Sequence, residues 1–246
     1  MVSVIGIKGV TKIAGRLESL DAGRLIGFTA SGLLASQLSS LQAMSELPDT
    51  RHLKPADKGV DMKNIADLLF EARMLKEIPR SGFHFLGAGK ESIAEHTFST
   101  TFIAYVMAQL DPEINALKLI SMCLVHDLAE ARTGDLNTVH KTYVTADEAK
   151  AIEDTTRRLP FGSSITDLIE EFNENHSIEA QLAHDADQLA LILELKNLSD
   201  IGYAPPDTWL PHVLKRIKTK TAKKIARSIV EAHRDDWWLN KYVDTD

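Results

Sequence analysis

The segment LVHDLAEARTGD, residues 124–135, places four ionisable side chains besides Arg132 inside an otherwise apolar stretch of helical character. These side chains are His126, Asp127, Glu130 and Asp135, and they are interleaved with Leu124, Val125, Leu128 and Ala129. Carboxylates are almost never buried in a protein unless they pair with a cation or bind a metal ion. The fold must therefore supply partners for these side chains at this one place.

Helical patterns account for most of the remaining chain. Apolar residues recur at the spacing of one helix face from Asp61 until Pro79 stops the run. Ser92 and Glu95 have the spacing of a capping box, which predicts a helix with His96 in its first turn. Further helices are predicted over residues 114–132, 145–159, 164–175, 177–202 and 211–233. Strands have no clear support, so the predicted class is all-α.

Residues 1–60 differ in composition from the rest of the chain. They are rich in Gly, Ser and Leu, and they end in a polar stretch with Pro48, Pro55 and Gly59, which favours a linker. We interpret residues 1–60 as an N-terminal extension and linker, and residues 61–246 as one helical domain. A chain of 246 residues can bury a sizeable core without disulfides, and the single cysteine cannot form an internal one.

Charge and hydropathy exclude several classes of partner. The net charge of −7 argues against nucleic acid and anionic membranes. The basic segment at residues 215–227 is interpreted as a solvated helix face, because the acidic EAHRDD follows it. No apolar run approaches the ~20 residues of a membrane-spanning helix, and the N-terminus lacks a signal-peptide pattern. We expect a cytoplasmic protein that needs local positive charge or a metal to bind an anion.

Helical spacing brings the ionisable residues of the opening segment together. Residues three and four apart share a helix face, so His126, Asp127 and Glu130 are predicted to form one polar stripe. Asp135 lies just beyond the helix end that Gly134 predicts. A buried histidine held by structural carboxylates would explain an isolated His-Asp pair equally well.

Polar residues on two other apolar helices favour a metal site instead. His96 lies near the start of one predicted helix, and Asp187 lies in the middle of another. Imidazole nitrogen and carboxylate oxygen together suit a borderline divalent metal. Two histidines and two aspartates would leave open positions for water and substrate, as a catalytic site requires.

A second His-Asp dipeptide, His184-Asp185, competes for the same role. Asp185 and Asp187 are two residues apart, so they cannot share one helix face. Asp187 lies on a face of small residues, whereas Asp185 lies on a face of larger apolar residues. Periodicity alone leaves both candidates open.

The order of these residues along the chain resembles that of the HD-domain metal-dependent phosphohydrolases. The segments RMLKEIPRSGF, ESIAEH, LVHDLAEARTGDL and AHDADQLALILE are similar to the 5′-deoxynucleotidase branch, over about residues 62–238. The resemblance implies a single HD-domain helical bundle with an N-terminal extension. It also implies an enzyme, a metal-dependent phosphomonoesterase that removes the 5′-phosphate from (deoxy)nucleoside monophosphates.

The resemblance also implies the metal ligands. His96, His126, Asp127 and Asp187 match the ligand positions of the family, which selects Asp187 over Asp185. The cofactor it implies is a divalent metal ion, with Mn, Co, Mg, Zn and Fe all open.

Further positions match residues that act on the substrate. Glu130 and Asp135 match the acidic pair that acts on the water and the leaving group, or that holds a second, weaker metal. Arg80 matches the arginine that reaches the substrate phosphate. Lys141, soon after the site helix, is a second candidate for binding phosphate.

Two kinds of alternative remain at this point. One is hydrolysis of nucleoside triphosphates or another small phosphoester. The other is a non-catalytic metal- and nucleotide-binding regulatory module, which loss of Glu130, Asp135 or Arg80 would have favoured; all three are present. The expected partner is a small nucleotide, and the resemblance implies a homodimer because relatives tend to form dimers.

Overall fold

The computed structural model describes residues 60–242, and within that range every regular element is a helix. The helices are α1 (Met62–Met74), α2 (Phe83–Leu86), α3 (Ile93–Leu110), α4 (Ala116–Val125), α5 (Glu130–Thr133), α6 (His140–Tyr143), α7 (Glu148–Thr156), α8 (Gly162–Glu174), α9 (Ile178–Asp200), α10 (Pro206–Leu214), α11 (Lys220–Glu231) and α12 (Asp236–Tyr242). The described residues include no strand, so the all-α prediction is confirmed there. None of these helices is both long and apolar enough to cross a membrane. Of the predicted extension, residues 1–60, all but Val60 lie outside the described residues.

Side-chain caps explain where several helices begin. Asp61 caps α1 and Ser177 caps α9, each by accepting a backbone N–H of the first turn. The predicted capping box is present in α3, where Ser92 and Glu95 each accept the other's backbone N–H. His96 therefore lies in the first turn of α3, as predicted, and it is fully buried.

The long helix α9 is the centre of the bundle and packs against α3, α4, α10 and α11. Its buried side combines alanines, which allow close approach of the neighbouring helices, with large residues such as Leu189 and Ile192. A second, smaller core cluster contains Ile93, Leu128 and Ile152. Since α3 and α9 are packed together, His96 and Asp187 face each other across their contact.

The prediction of one helix over residues 114–132 is wrong, and the difference shapes the site. Helix α4 ends at Val125 and α5 begins at Glu130. Between them the N–H groups of Leu128 and Glu130 donate to carbonyls three residues back, a tighter winding than that of an α-helix. A turn therefore replaces the predicted helix stripe, and it brings His126 Nε2 within 3.2 Å of Asp127 Oδ2.

The predicted last helix over residues 211–233 is also interrupted. Helix α10 ends at Leu214 and α11 begins at Lys220. In the intervening segment the N–H groups of Lys218 and Thr219 donate to the two carboxylate oxygens of Asp185, at 2.9 and 2.7 Å. The acidic side chain from α9 thus stabilises a break that the local sequence pattern did not reveal.

Candidate active site

Four side chains from three parts of the bundle meet at one point. His96 comes from α3, His126 and Asp127 from the turn after α4, and Asp187 from α9. His96 Nε2 lies 2.9 Å from Asp187 Oδ1 and 3.8 Å from Asp127 Oδ2, and His126 Nε2 lies 3.2 Å from Asp127 Oδ2. One potential ligand atom from each of His96, His126 and Asp127 falls within 4.8 Å of the others. The structure therefore brings all four predicted ligand residues together.

Buried polar atoms at this point lack hydrogen-bond partners among the described residues. They include His126 Nε2, Asp127 Oδ2 and Glu130 Oε2. Native proteins rarely leave buried polar atoms unpaired, because each costs free energy. A cation between these atoms would satisfy them together, so the donor set fits a divalent metal ion.

The orientation of the His126 ring supports the same interpretation. Its Nδ1 lies 2.8 Å from the backbone carbonyl of Cys123, and because a carbonyl can only accept, Nδ1 is the donor. Such a hydrogen bond directs Nε2 of a metal-ligating histidine towards the ion. Burial disfavours a charged His126, but the adjacent Asp127 outweighs it and raises the pKa of His126 to about 9. Metal binding must therefore displace a proton from this ring.

Arg80 places a half-buried positive charge beside the two aspartates. Its Nη1 lies 3.7 Å from Asp127 Oδ2 and its Nη2 lies 4.0 Å from Asp187 Oδ1. Burial opposes ionisation of both carboxyls, but His96, His126 and Arg80 outweigh it and hold the pKa of Asp127 and Asp187 below their usual range. Both aspartates are thus ionised and available as ligands.

Glu130 and Asp135 stand at the two ends of α5. Burial, followed by the charges of Asp127 and Asp135, outweighs the opposing charges of Arg80 and His126 and raises the pKa of Glu130 to about 9, so Glu130 holds a proton at neutral pH when no metal ion is bound beside it. Asp135 accepts the backbone N–H of Ser81 at 2.6 Å. This bond ties the loop of Arg80 to the acidic pair.

The cluster opens into a cavity of about 380 Å³. Its lining includes three cationic residues, Arg80, Lys141 and Arg216, of which Lys141 and Arg216 are exposed. Aromatic side chains form part of the wall, namely Phe83, Phe172 and Trp209. The cavity lining includes seven of the eight candidate site residues, all except the fully buried His96, together with residues that were not predicted from the sequence. The sequence contained a signal for Arg216, since this residue belongs to the basic segment at residues 215–227 that was interpreted as a solvated helix face.

The side chains of the competing pair, His184 and Asp185, bind other parts of the structure and not the cluster of predicted metal ligands. Asp185 is 1% exposed, and its carboxylate is occupied by the segment before α11. His184 lines the cavity, where its ring stacks on Phe172 at 3.9 Å and its Nε2 donates to the Phe172 carbonyl at 2.8 Å. Of the two aspartates, Asp187 is the one that reaches the histidine cluster.

This geometry predicts opposite effects for two neighbouring substitutions. We expect Asp187→Ala to lose bound metal, because it removes an ionised ligand from an open site with few to spare. Asp185→Ala removes no ligand and should keep its metal at saturating Mn²⁺, but it should lower the free energy of unfolding by roughly 1–3 kcal/mol, because two backbone N–H groups lose a charged acceptor. Metal analysis and urea unfolding of both purified variants check this. Metal lost only from Asp185→Ala would contradict the assignment.

A protein-family match covers the part of the chain that forms the cluster of predicted ligands. The family model described as HD domain matches residues 72–229, which include every residue placed in the cluster. The 5′-deoxynucleotidase HDDC2 of Homo sapiens is 26% identical over 153 residues, 60% of this chain and 74% of that protein. The 5′-deoxynucleotidase hdd1 of Schizosaccharomyces pombe is 30% identical over 131 residues, 49% of this chain and 65% of that protein.

Solved structures show the same arrangement of helices. The PH0347 protein from Pyrococcus horikoshii OT3 is 30% identical with a TM-score of 0.57, covering 68% of this chain and 98% of that chain. A conserved hypothetical protein from Pyrococcus furiosus is 26% identical with a TM-score of 0.58, and the match covers 68% of this chain and 99% of that chain. The family resemblance seen in the sequence is confirmed: the chain belongs to the HD domain family.

Proposed function

We propose that the chain is a metal-dependent phosphohydrolase that removes the 5′-phosphate from nucleoside monophosphates, deoxynucleotides in particular. The observation that carries this proposal is one cavity that combines unpaired ligand atoms, the half-buried guanidinium of Arg80 and the acidic pair Glu130 and Asp135. The 5′-deoxynucleotidases named above, which are similar over most of the same range, support the nucleotide as the substrate class.

His96, His126, Asp127 and Asp187 would hold the metal. A divalent ion there would supply a Lewis acid that polarises phosphate and makes water nucleophilic near neutral pH. Two imidazole ligands favour a transition metal such as Mn²⁺, Co²⁺, Zn²⁺ or Fe²⁺ over Mg²⁺, which prefers oxygen ligands.

Arg80 would bind the phosphate that is to be removed. Its distances of 3.7 and 4.0 Å to Asp127 and Asp187 are longer than hydrogen bonds, so its donors remain available for phosphate oxygens. A guanidinium can engage two such oxygens at once, which compensates for the carboxylates around it. Lys141, exposed beside the cavity, would add a second positive charge for the phosphate.

Glu130 and Asp135 would act on the attacking water and on the leaving group. Glu130 faces the cluster with a buried, unpaired oxygen, and with a divalent ion bound beside it its ionised carboxylate would orient water and take up the water's proton. Asp135 is held by the Ser81 backbone and can act on the leaving 5′-oxygen. Another role for this pair is to hold a second, weaker metal ion.

Aromatic side chains of the cavity wall would accommodate the nucleoside. Phe83 and Trp209 line the cavity together with the stacked pair Phe172 and His184. Flat apolar surfaces suit a sugar and base, whereas inorganic phosphate needs none of them. This wall is a second reason to favour a nucleotide over a smaller phosphoester.

A phosphate-release screen tests the proposed function. The protein is stripped of metal and assayed with ribo- and deoxynucleoside mono-, di- and triphosphates, with Mn²⁺, Co²⁺ or Mg²⁺ supplied separately. We expect release from deoxynucleoside monophosphates, faster with Mn²⁺ or Co²⁺ than with Mg²⁺. Turnover of triphosphates alone would contradict the monophosphate proposal, and nucleotide binding without any turnover would point to a regulatory module.

We also propose that residues 61–246 form the catalytic domain and residues 1–60 an extension. Every residue given a role here lies between Arg80 and Arg216, and the family match covers residues 72–229. Asp61, the cap of α1, is then the first residue that the domain needs.

A further inference from the structure

We propose that Gln188 is a positioning residue, which holds the carboxylate of Asp187 in its metal-binding orientation, and that Arg216 acts on the site through Gln188. This inference rests on the proposed function, because it concerns a ligand of the same site. Neither residue has a position in the ligand set implied by the family resemblance.

The carboxylate of Asp187 has two different partners on its two oxygens. Oδ1 lies 2.9 Å from His96 Nε2, on the side of the cluster. Oδ2 accepts a hydrogen bond of 2.7 Å from Gln188 Nε2. Neighbouring residues on a helix normally point away from each other, so Gln188 must fold back towards Asp187 to make this bond. The contact fixes rotation of the carboxylate, which is what an outer partner of a metal ligand does.

Arg216 determines which way the Gln188 amide faces. Its Nη1 lies 3.4 Å from Gln188 Oε1. A guanidinium can only donate and an ionised carboxylate can only accept, so the amide oxygen must face Arg216 and the NH₂ group must face Asp187. The amide has one orientation that satisfies both neighbours.

The segment that carries Arg216 is itself held from α9. Asp185 accepts the N–H groups of Lys218 and Thr219, two and three residues after Arg216. Asp185 therefore anchors the loop, the loop presents Arg216, and Arg216 orients Gln188. This chain of contacts gives the buried Asp185 an indirect connection to Asp187.

Arg80 is the reason why Asp187 needs such a partner. Its Nη2 lies 4.0 Å from Asp187 Oδ1, close enough that a small rotation of the carboxylate would form a direct ion pair. That pair would withdraw a metal ligand and would occupy the guanidinium proposed for phosphate binding. By donating to Oδ2 from the other side, Gln188 opposes this rotation.

The substitution Gln188→Met tests the inference on the full chain. It removes the amide but keeps the length and approximate volume of the side chain. We expect the affinity for Mn²⁺ to fall by roughly 10-fold or more, the scale seen when an outer partner of a metal ligand is lost. The measurement is competition against a chromophoric chelator, with no nucleotide present. Gln188→Leu should show the same loss, and metal-free melting curves establish that each variant is folded.

Gln181→Met is the matched control. Gln181 lies two turns earlier on α9, and its Nε2 contacts the His176 carbonyl at 3.5 Å, outside the cavity lining. We expect its Mn²⁺ affinity to equal that of the unsubstituted chain. An unchanged Mn²⁺ affinity in both Gln188 variants would overturn the positioning role.

A double-mutant cycle tests whether Arg216 acts through Gln188. Arg216→Met should weaken Mn²⁺ binding in the unsubstituted chain and have no further effect in Gln188→Met. An equal effect in both backgrounds would overturn the proposed connection. Because the readout needs no turnover, a chain that binds Mn²⁺ but releases no phosphate contradicts the proposed function alone. A chain that binds no Mn²⁺ contradicts both proposals.

Discussion

Asp127→Ala and His126→Ala are each expected to abolish metal retention and phosphate release. The two residues share the turn between α4 and α5, and each contributes a buried atom that has no hydrogen-bond partner in the described part of the chain. An open catalytic site binds its ion through few protein ligands, so the loss of one is not compensated. Removal of Asp127 also leaves His126 without the carboxylate that lies 3.2 Å away.

Metal analysis and thermal unfolding measure this effect without relying on activity. A ligand that binds only the folded state stabilises it by about 2.7 kcal/mol at 100 times its dissociation constant. We expect added Mn²⁺ to raise the melting temperature of the unsubstituted chain and to leave that of both variants unchanged. His212→Ala and Asp67→Ala replace the same residue types at exposed positions outside the cavity, and should respond to Mn²⁺ normally. A normal metal response in Asp127→Ala would refute the ligand assignment.

Glu130→Gln is expected to keep the tightly bound metal and to lose turnover by roughly 10²-fold or more, the usual scale for a positioned acid or base. The substitution preserves size and removes the ability to take up or release a proton. Burial and the neighbouring Asp127 and Asp135 raise the pKa of Glu130 to about 9, and a strongly perturbed pKa in a cavity is typical of a catalytic acid or base.

The ratio of metal to protein and kcat are measured on the same sample. Glu77→Gln, at an exposed position on the segment after α1, is the control and should keep full turnover. If Glu130 and Asp135 hold a second ion instead, Glu130→Gln will lower the number of metal ions bound per chain. Near-normal turnover at an unchanged metal ratio would make Glu130 a structural carboxylate.

Local features of the fold could be predicted because their causes lie within a few residues. The capping box of Ser92 and Glu95 closes over three positions, so it placed His96 in the first turn of α3 from the sequence alone. The helix break after Val125 could not be predicted in this way. Leu128 and Ala129 continue the apolar pattern across it, but they pack into the second core cluster while α4 packs into the first.

Residue types and their order along the chain by themselves determined the all-α class, the HD domain family and the eight candidate site residues. Two histidines and several carboxylates in apolar segments need a cation, whatever fold encloses them. The family resemblance selected Asp187 while helix periodicity left Asp185 open, and only the tertiary structure gave the physical reason, because the role of each acidic residue depends on which distant group it meets. The N–H groups of Lys218 and Thr219 occupy Asp185, and His96 faces Asp187. Gln188 and Arg216 are in contact although they are 28 residues apart, so their relation to the site follows from helix packing and could not be predicted from spacing in the sequence.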